Sequence, residues 1–449
     1  MIGNLNTLRN NIVYLPKLIF FFFLYFLITK ESLLTFFILL TLTIIVFIFS
    51  HQIQNKKQKG IYLGLFSFIL ILPLSLKSNF LPTGYQYISI SLIGSILYLN
   101  LDKSRIRNLN SFQTISFICT SFLAPTTYLS GPSATIKEIF DNKNNFQLLP
   151  NLKSISKESI YLAISGFFRI TLGYFLLSKA AQINYLYPLN NTNIYSIFSF
   201  ITFGFYYFWK YYLLFSGASE LCKALLSTIG INVIDNFKKA ELSVFYHDIW
   251  TTWHLNITDR VRQYLYTPLT LFALRKSDNF NKFTKFIIVE GLPVISLFLI
   301  LGIWHGGRPK DFLFGCLSTV LVLISRTLSR NKLIRSLLIK NNLFLEIFRI
   351  LNLIIFGTVL SIYEMPFINN SENLQNFSVN KNIFFFLLFL IYLYYRFKNF
   401  NFRIEEEAKG KMFFKKEFFG IFELSCAIII QIFFINVETI RSDFLYFAN

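Results

Sequence analysis

The chain is poor in charge and poorer still in acid. Of its 449 residues only 15% are charged, with 23 Asp or Glu against 43 Lys or Arg. A soluble domain carries roughly a quarter charged residues, so the scarcity excludes an ordinary water-facing surface. Cysteine is just as sparse: Cys119, Cys222, Cys316 and Cys426 stand in or beside apolar stretches without CxxC spacing. That argues against a disulfide framework or a metal site and reads the four as small buried hydrophobes. No P-loop, GxGxxG phosphate cradle or internal repeat occurs, so no bound cofactor is expected. The net charge of +20 does not imply nucleic-acid binding, which needs a basic face on a soluble domain. Histidine occurs only four times, at 51, 247, 254 and 305, which makes each one informative.

What fills the chain instead is apolar. Hydrophobic residues make up 54%, with 56 Phe and 24 Tyr. Long runs recur at 12–28, 33–49, 61–76, 160–177, 194–215, 286–303, 312–325, 343–362, 383–395 and 418–435. Several reach or approach the roughly 20 residues that cross a hydrocarbon core as a helix. The pattern predicts an all-α, polytopic integral membrane protein of about ten to thirteen transmembrane helices, with re-entrant or interfacial segments around a central chamber. Residues 1–449 form one multi-pass domain on this reading, and the first run is a membrane helix rather than a removed signal. Basic residues cluster in the connections at 56–59, 103–107, 275–285, 326–340 and 396–416, while those near 30, 77–82, 182–192 and 364–380 are poor in them. The positive-inside rule makes the first set cytoplasmic and places the chain in the plasma (inner) membrane, with the lipid bilayer as its first partner.

Against that background two histidines stand out, each directly after a tryptophan. Trp304-His305-Gly306 closes the apolar run 294–301, and Trp253-His254 lies about fifty residues upstream. A titratable side chain at membrane depth is costly and marks a functional site by default. Between 215 and 270 the chain reads as irregular polar and aromatic backbone, tolerated at that depth only where it is buried in protein or lines a wet cavity.

Four blocks in this region carry a resemblance. Ser121-Phe122 to Gly131-Pro132 is similar to an F-x-P-T-x-x-x-G-P stretch. Phe215-Ser216-Gly217-Ala218-Ser219-Glu220, through Gly230-Ile231 to Asn236-Phe237, is similar to F-S-G-x-S-D … G-F … N-F. Trp250 to Ile257, continuing through Arg262 to Leu269, is similar to W-x-x-W-H-x-S-L … R-D-Y-x-Y-x-P-L, and Leu301 to Gly307 is similar to G-x-W-H-G. Together they resemble the membrane-bound O-acyltransferases, in the bacterial branch of alginate O-acetylation and teichoic-acid D-alanylation membrane proteins. Order and spacing agree over roughly 80–330, an acyltransferase-like core, whereas the helices of 340–449 resemble nothing specific. The chain departs from the pattern at Thr251 and Thr252, at Glu220 and Gln263 where the branch has Asp, and at Ser318 near where a further His is common.

The resemblance implies an O-acyltransferase that moves an acyl group, by default acetyl, from a cytoplasmic thioester to a hydroxyl of an envelope or extracellular glycan. Its donor would be acyl-CoA such as acetyl-CoA, or an acyl-carrier-protein thioester, and a soluble or periplasmic acyl-transfer partner could complete the reaction. It also implies His305 as general base, a task suited to an imidazole because its pKa lies near operating pH. His254 is the second catalytic candidate: it could orient the acyl carbonyl, hold His305 or the acceptor, or anchor the interface. Trp304, Trp253, Asn256, Glu220 and Arg262 are candidate chamber-lining residues, with structural pairing as the plainer reading for the last three. His247 reads as a connector residue and His51 as solvated. Lys285 lies twenty residues before His305, a helical rise of about 30 Å, which sets His305 toward the outer half of the bilayer and Arg308 and Lys310 at an external mouth. A reading from another class, a transporter or flippase with the histidines along its path, would also use broken helices and midplane polar groups.

Overall fold

The computed structural model describes residues 155–180, 194–362, 381–407 and 416–434, with short pieces between 41 and 141. Every regular element among them is helical. We label α1 Ile136–Asp141, α2 Lys157–Ala180, α3 Ile194–Thr228, α4 Tyr246–Ile249, α5 Leu255–Val261, α6 Thr267–Lys276 and α7 Lys282–Phe286. There follow α8 Leu292–Trp304, α9 Pro309–Arg330, α10 Lys332–Lys340, α11 Asn342–Ser361, α12 Lys381–Glu407 and α13 Lys416–Phe434. The chain is thus an all-α polytopic membrane protein. Four described stretches are long and apolar enough to cross a membrane: Lys157–Leu177, Lys282–Trp304, Pro309–Arg330 and Asn342–Leu360. The apolar runs at 12–28 and 61–76, and most of 33–49, lie outside the described residues.

The outward faces explain the composition. On α9 Leu313, Leu317, Val320 and Ile324 are exposed, on α8 Leu292, Ile295 and Leu299, and on α11 Leu343, Ile347, Leu351 and Ile355. Steps of three and four residues place each set on one stripe of its helix, and a continuous exposed apolar stripe fits hydrocarbon, not water. Cys316, read as buried from the sequence, is exposed on α9, next to Leu317 in the chain.

α3 is the axis of the fold and packs against α2, α11 and α12. Its buried ridge is aromatic: Phe208 stacks on Tyr212 at 5.4 Å, and Trp209 stacks on Tyr395 of α12 at 5.5 Å. Two glycine contacts let the helices approach. A Cβ at Gly357 of α11 would overlap the carbonyl oxygen of Gly204 of α3, and one at Gly166 of α2 would come 2.7 Å from the carbonyl oxygen of Gly217. Without a hydrophobic drive between helices in lipid, such close backbone packing is a principal source of association.

Two prolines shape the helices that carry the site. Pro268 and Pro293 each sit at the second position of α6 and α8, and each follows a five-residue π turn, Arg262–Tyr266 and Ile287–Gly291. Proline offers no N–H and crowds the carbonyl four residues back, and the wider π turn absorbs both defects without ending the helix. In one respect the sequence reading is corrected. Phe215 to Glu220 is regular helix, because α3 runs on to Thr228 and irregular backbone begins only at Ile229. The hydroxyls and carboxylate there are matched from α2, where Arg169 donates to Ser216 at 2.9 Å and pairs with Glu220 at 3.1 Å.

Gly357→Ala should force α3 and α11 apart and cost about 1–3 kcal/mol, as overpacking does. The apparent melting temperature of the detergent-solubilised protein should fall, whereas Gly291→Ala, whose added Cβ meets nothing closer than 4.0 Å, should leave it in place.

Candidate active site

The route from α3 to the first histidine is stitched by hydrogen bonds. Gly230, at φ 79°, reverses the chain after α3, and the Ile231 N–H closes back onto the Leu226 carbonyl at 3.0 Å. Residues 232–239 then run without helix to a short 3-10 turn, and α4 follows, with the Asp248 carboxylate accepting the Phe245 N–H at 3.0 Å. His254 follows in the left-handed region, at φ 50° and ψ 48°, and starts α5. That conformation is uncommon for a residue with a Cβ and persists only where surroundings hold it.

Asn236 is what holds it. Its side-chain oxygen contacts His254 Nδ1 at 2.9 Å and accepts the Asn256 N–H at 3.1 Å, while its backbone carbonyl accepts the Leu255 N–H at 2.8 Å. Its amide nitrogen donates to Ser219 of α3 at 2.9 Å. The first two residues of α5 are therefore capped from a distance, by a residue outside the helix, satisfying N–H groups that a helix start leaves open. Both Asn236 and His254 are buried, and the imidazole lies between Phe215, 4.6 Å away centre to centre, and Trp304 at 6.0 Å.

His305 arrives by a different device. It caps the C-terminal end of α8, donating its N–H to Leu301 at 2.9 Å, and Gly306 at φ 119° and Gly307 at φ 64° turn the chain into α9. Neither conformation suits a side chain, so the two glycines of the Trp-His-Gly-Gly run are required by the turn. Trp304 is buried, with the His305 ring edge-on against it at 4.6 Å, so one indole touches both imidazoles.

The "Teichoic acid D-alanyltransferase" of Streptococcus thermophilus is 24% identical over 282 residues, 58% of this chain and 63% of that protein. The "Peptidoglycan O-acetyltransferase" of Helicobacter pylori is 26% identical over 123 residues, 27% of this chain and 21% of its own. The "Probable alginate O-acetylase" of Pseudomonas putida is 28% identical over 117 residues, 26% and 22% of the two chains. The chain is homologous to the membrane-bound O-acyltransferases. The match covers less than two thirds of the length of each relative, and no family model matches the chain.

In this homologue of the membrane-bound O-acyltransferases the other sequence candidates divide. Trp253 is a core residue, wedged against Phe237 and Phe356 at 5.0 Å each, and its neighbours are aromatic. Asn256 is fully buried, and its backbone is tied to Asn236. Glu220 pairs with Arg169 and lines a cavity of about 730 Å³ between α2, α3 and α13, whose wall also includes Tyr161, Ser216, Ser219, Asn236 and Phe237. Arg262 is half exposed and pairs with Asp259 at 2.8 Å, within its own segment. His247 lies against α9, with Nδ1 3.0 Å from the Ser325 hydroxyl, and Ser318 meets the Tyr246 hydroxyl at 3.0 Å. Among the described residues no group of three or more His, Cys, Asp or Glu could hold a metal ion.

Asn236 and Asp311 are the residues that sequence reasoning missed. Asp311 is fully buried beneath the His305 turn and takes three bonds from Arg308: Nε at 2.9 Å, Nη2 at 3.2 Å and the backbone N–H at 2.9 Å. Arg308 also donates to the His305 carbonyl at 3.1 Å. Arg308 thus pins the catalytic candidate's backbone. Arg308→Ala leaves a carboxylate buried and costs about 2–4 kcal/mol, toward the lower part of the range for breaking a buried pair because the guanidinium side chain is 36% exposed. Thermal melting in detergent should show the loss, and adding Asp311→Ala should recover part of it.

Proposed function

We propose that this protein is a membrane-embedded O-acyltransferase that moves an acyl group, by default acetyl, from a thioester to a hydroxyl of an envelope or extracellular glycan. One observation carries the reading: two histidines from separate segments, His254 buried and His305 half-buried, converge on the shared, buried indole of Trp304. The named activities of the relatives, on teichoic acid, peptidoglycan and alginate, support the reaction class and the acceptor class. The donor is acetyl-CoA, or an acyl-carrier-protein thioester presented from the cytoplasmic side, and the protein is a multi-pass component of the plasma membrane.

The chemistry follows from the groups present. The acceptor oxygen attacks the thioester carbonyl carbon, a C–O bond forms, and the C–S bond breaks with the electron pair leaving on sulfur. His305 takes the hydroxyl proton as the bond forms and returns it to the thiolate. A positioned base of this kind contributes about 10²–10⁴ in rate. Low-dielectric surroundings keep an imidazole neutral and base-competent, and they keep water, the competing nucleophile, from the thioester. His254 stands across Trp304 as the second imidazole and supports the proton transfer.

His305→Ala at normal expression should lower acyl transfer about 10²–10⁴-fold, read as acylated envelope glycan in cells and as CoA release from acetyl-CoA with purified protein. Undiminished acylation would remove His305 from the mechanism. Export of glycan without acylation by the wild type would favour a transporter instead.

A further inference from the structure

We propose that Asn236 is a positioning residue for acyl transfer: its side-chain oxygen holds the His254 imidazole in the tautomer whose Nε2 accepts a proton. The inference rests on the acyltransferase reading above and deepens it.

The hydrogen bonds themselves make the assignment. The oxygen and nitrogen of a carboxamide look alike, so their identity comes from their partners. A backbone N–H can only donate, and the Asn256 N–H meets the Asn236 side chain at 3.1 Å. The atom it meets is therefore the oxygen. That same oxygen lies 2.9 Å from His254 Nδ1, and a carbonyl oxygen can only accept, so Nδ1 carries the proton. In a neutral imidazole the lone pair then belongs to Nε2. The opposite end of the carboxamide agrees, because its NH2 group faces the Ser219 hydroxyl at 2.9 Å. Both lone pairs of the oxygen are in use, so the amide has no easy alternative orientation.

The choice of an amide matters. Among the described residues, the charged and titratable groups acting on His254 include His305 and Arg260, and Arg260 is paired with Glu138 of α1 at 3.8 Å. Its ring contacts include Phe215, Phe237 and Trp304. An amide orients the ring without adding a negative charge that would favour imidazolium. A carboxylate in its place would orient the ring equally well but hold it protonated, with no lone pair on Nε2. Asn236 also lines the cavity of about 730 Å³, so the residue that orients His254 from behind faces that space directly.

The test uses full-length protein labelled with 15N-histidine in lipid bilayers, where only four histidines contribute signals and His254→Gln assigns one. Solid-state NMR should report His254 protonated on Nδ1 and bare on Nε2 at neutral pH. Asn236→Leu should mix the tautomers and lower CoA release from acetyl-CoA about 10–100-fold, the usual loss when a ligand-orienting partner is removed. Asn236→Asp is the decisive variant, since its oxygens still accept from Asn256 and His254 and preserve the cap on α5. It should raise the protonation midpoint of His254 by about one to three pH units and move the acid limb of CoA release upward by the same amount. A purely capping role predicts a raised midpoint with the acid limb of CoA release left in place. An Nε2–H signal in the wild type, or an unmoved midpoint in Asn236→Asp, overturns the positioning role, as does a midpoint that moves without the acid limb. Wild-type protein that gives the expected NMR signal but releases no CoA would instead overturn the acyltransferase reading.

Discussion

Buried backbone that leaves a helix must find its hydrogen bonds inside the protein, and the segment from Ile229 to His254 is organised around that demand. Asn236 serves the start of α5 with two oxygens, and the Thr252 carbonyl accepts the Lys238 N–H at 2.8 Å. From the other side α11 contributes two polar side chains. Asn352 donates to the Ser243 carbonyl at 3.0 Å, and Arg349 donates to the Leu242 carbonyl at 3.1 Å. That accounts for the buried Asn352 on this helix. It also ties α11 to the loop that presents His254, so the close glycine packing of α11 on α3 is linked to the site.

The two imidazoles meet because two unlike local structures end at the same indole. His254 is held by its side chain, in a backbone conformation it would rarely choose alone, whereas His305 is held through its backbone, by a helix end and a glycine turn. The division suits the roles proposed for them. A side chain fixed by a hydrogen bond keeps one tautomer. Asp311 and Arg308 keep the turn from opening, and Trp304 sets the spacing between the rings.

Much of this was legible in the chain. Runs of apolar residues located α8, α9 and α11 closely, since length and hydropathy are local properties. The two Trp-His pairs pointed to the site, because so few titratable groups occur in such stretches. Other parts were not legible. Asn236 lies eighteen residues before His254, and no periodicity connects a loop amide with a ring it meets only after the chain has folded back. Ser216, Ser219 and Glu220 looked irregular because their partners, Arg169 on α2 and Asn236 beyond α3, are tertiary. Arg308 looked like a surface cation because its carboxylate, Asp311, is buried under the turn three residues later. In each case residue type was a fair guide to cost, but only the fold supplied the partner.

Several other charged groups among the described residues pair between helices. Arg169 pairs with Glu220 and lies over the rings of Tyr212 and Tyr395, joining α2, α3 and α12. Lys398 pairs with Glu423 and joins α12 to α13, and Glu346 of α11 binds Arg396 of α12 at 2.6 Å. Desolvation offsets much of the attraction in such pairs, so their effect lies less in net stability than in deciding which helices stand together. Of these groups Glu220 lines the cavity that Asn236 also lines. Beside His254 the described residues place a neutral amide and aromatic rings. A paired carboxylate there would secure the helix equally well and cancel the chemistry, because a protonated imidazole has nothing left with which to accept a proton.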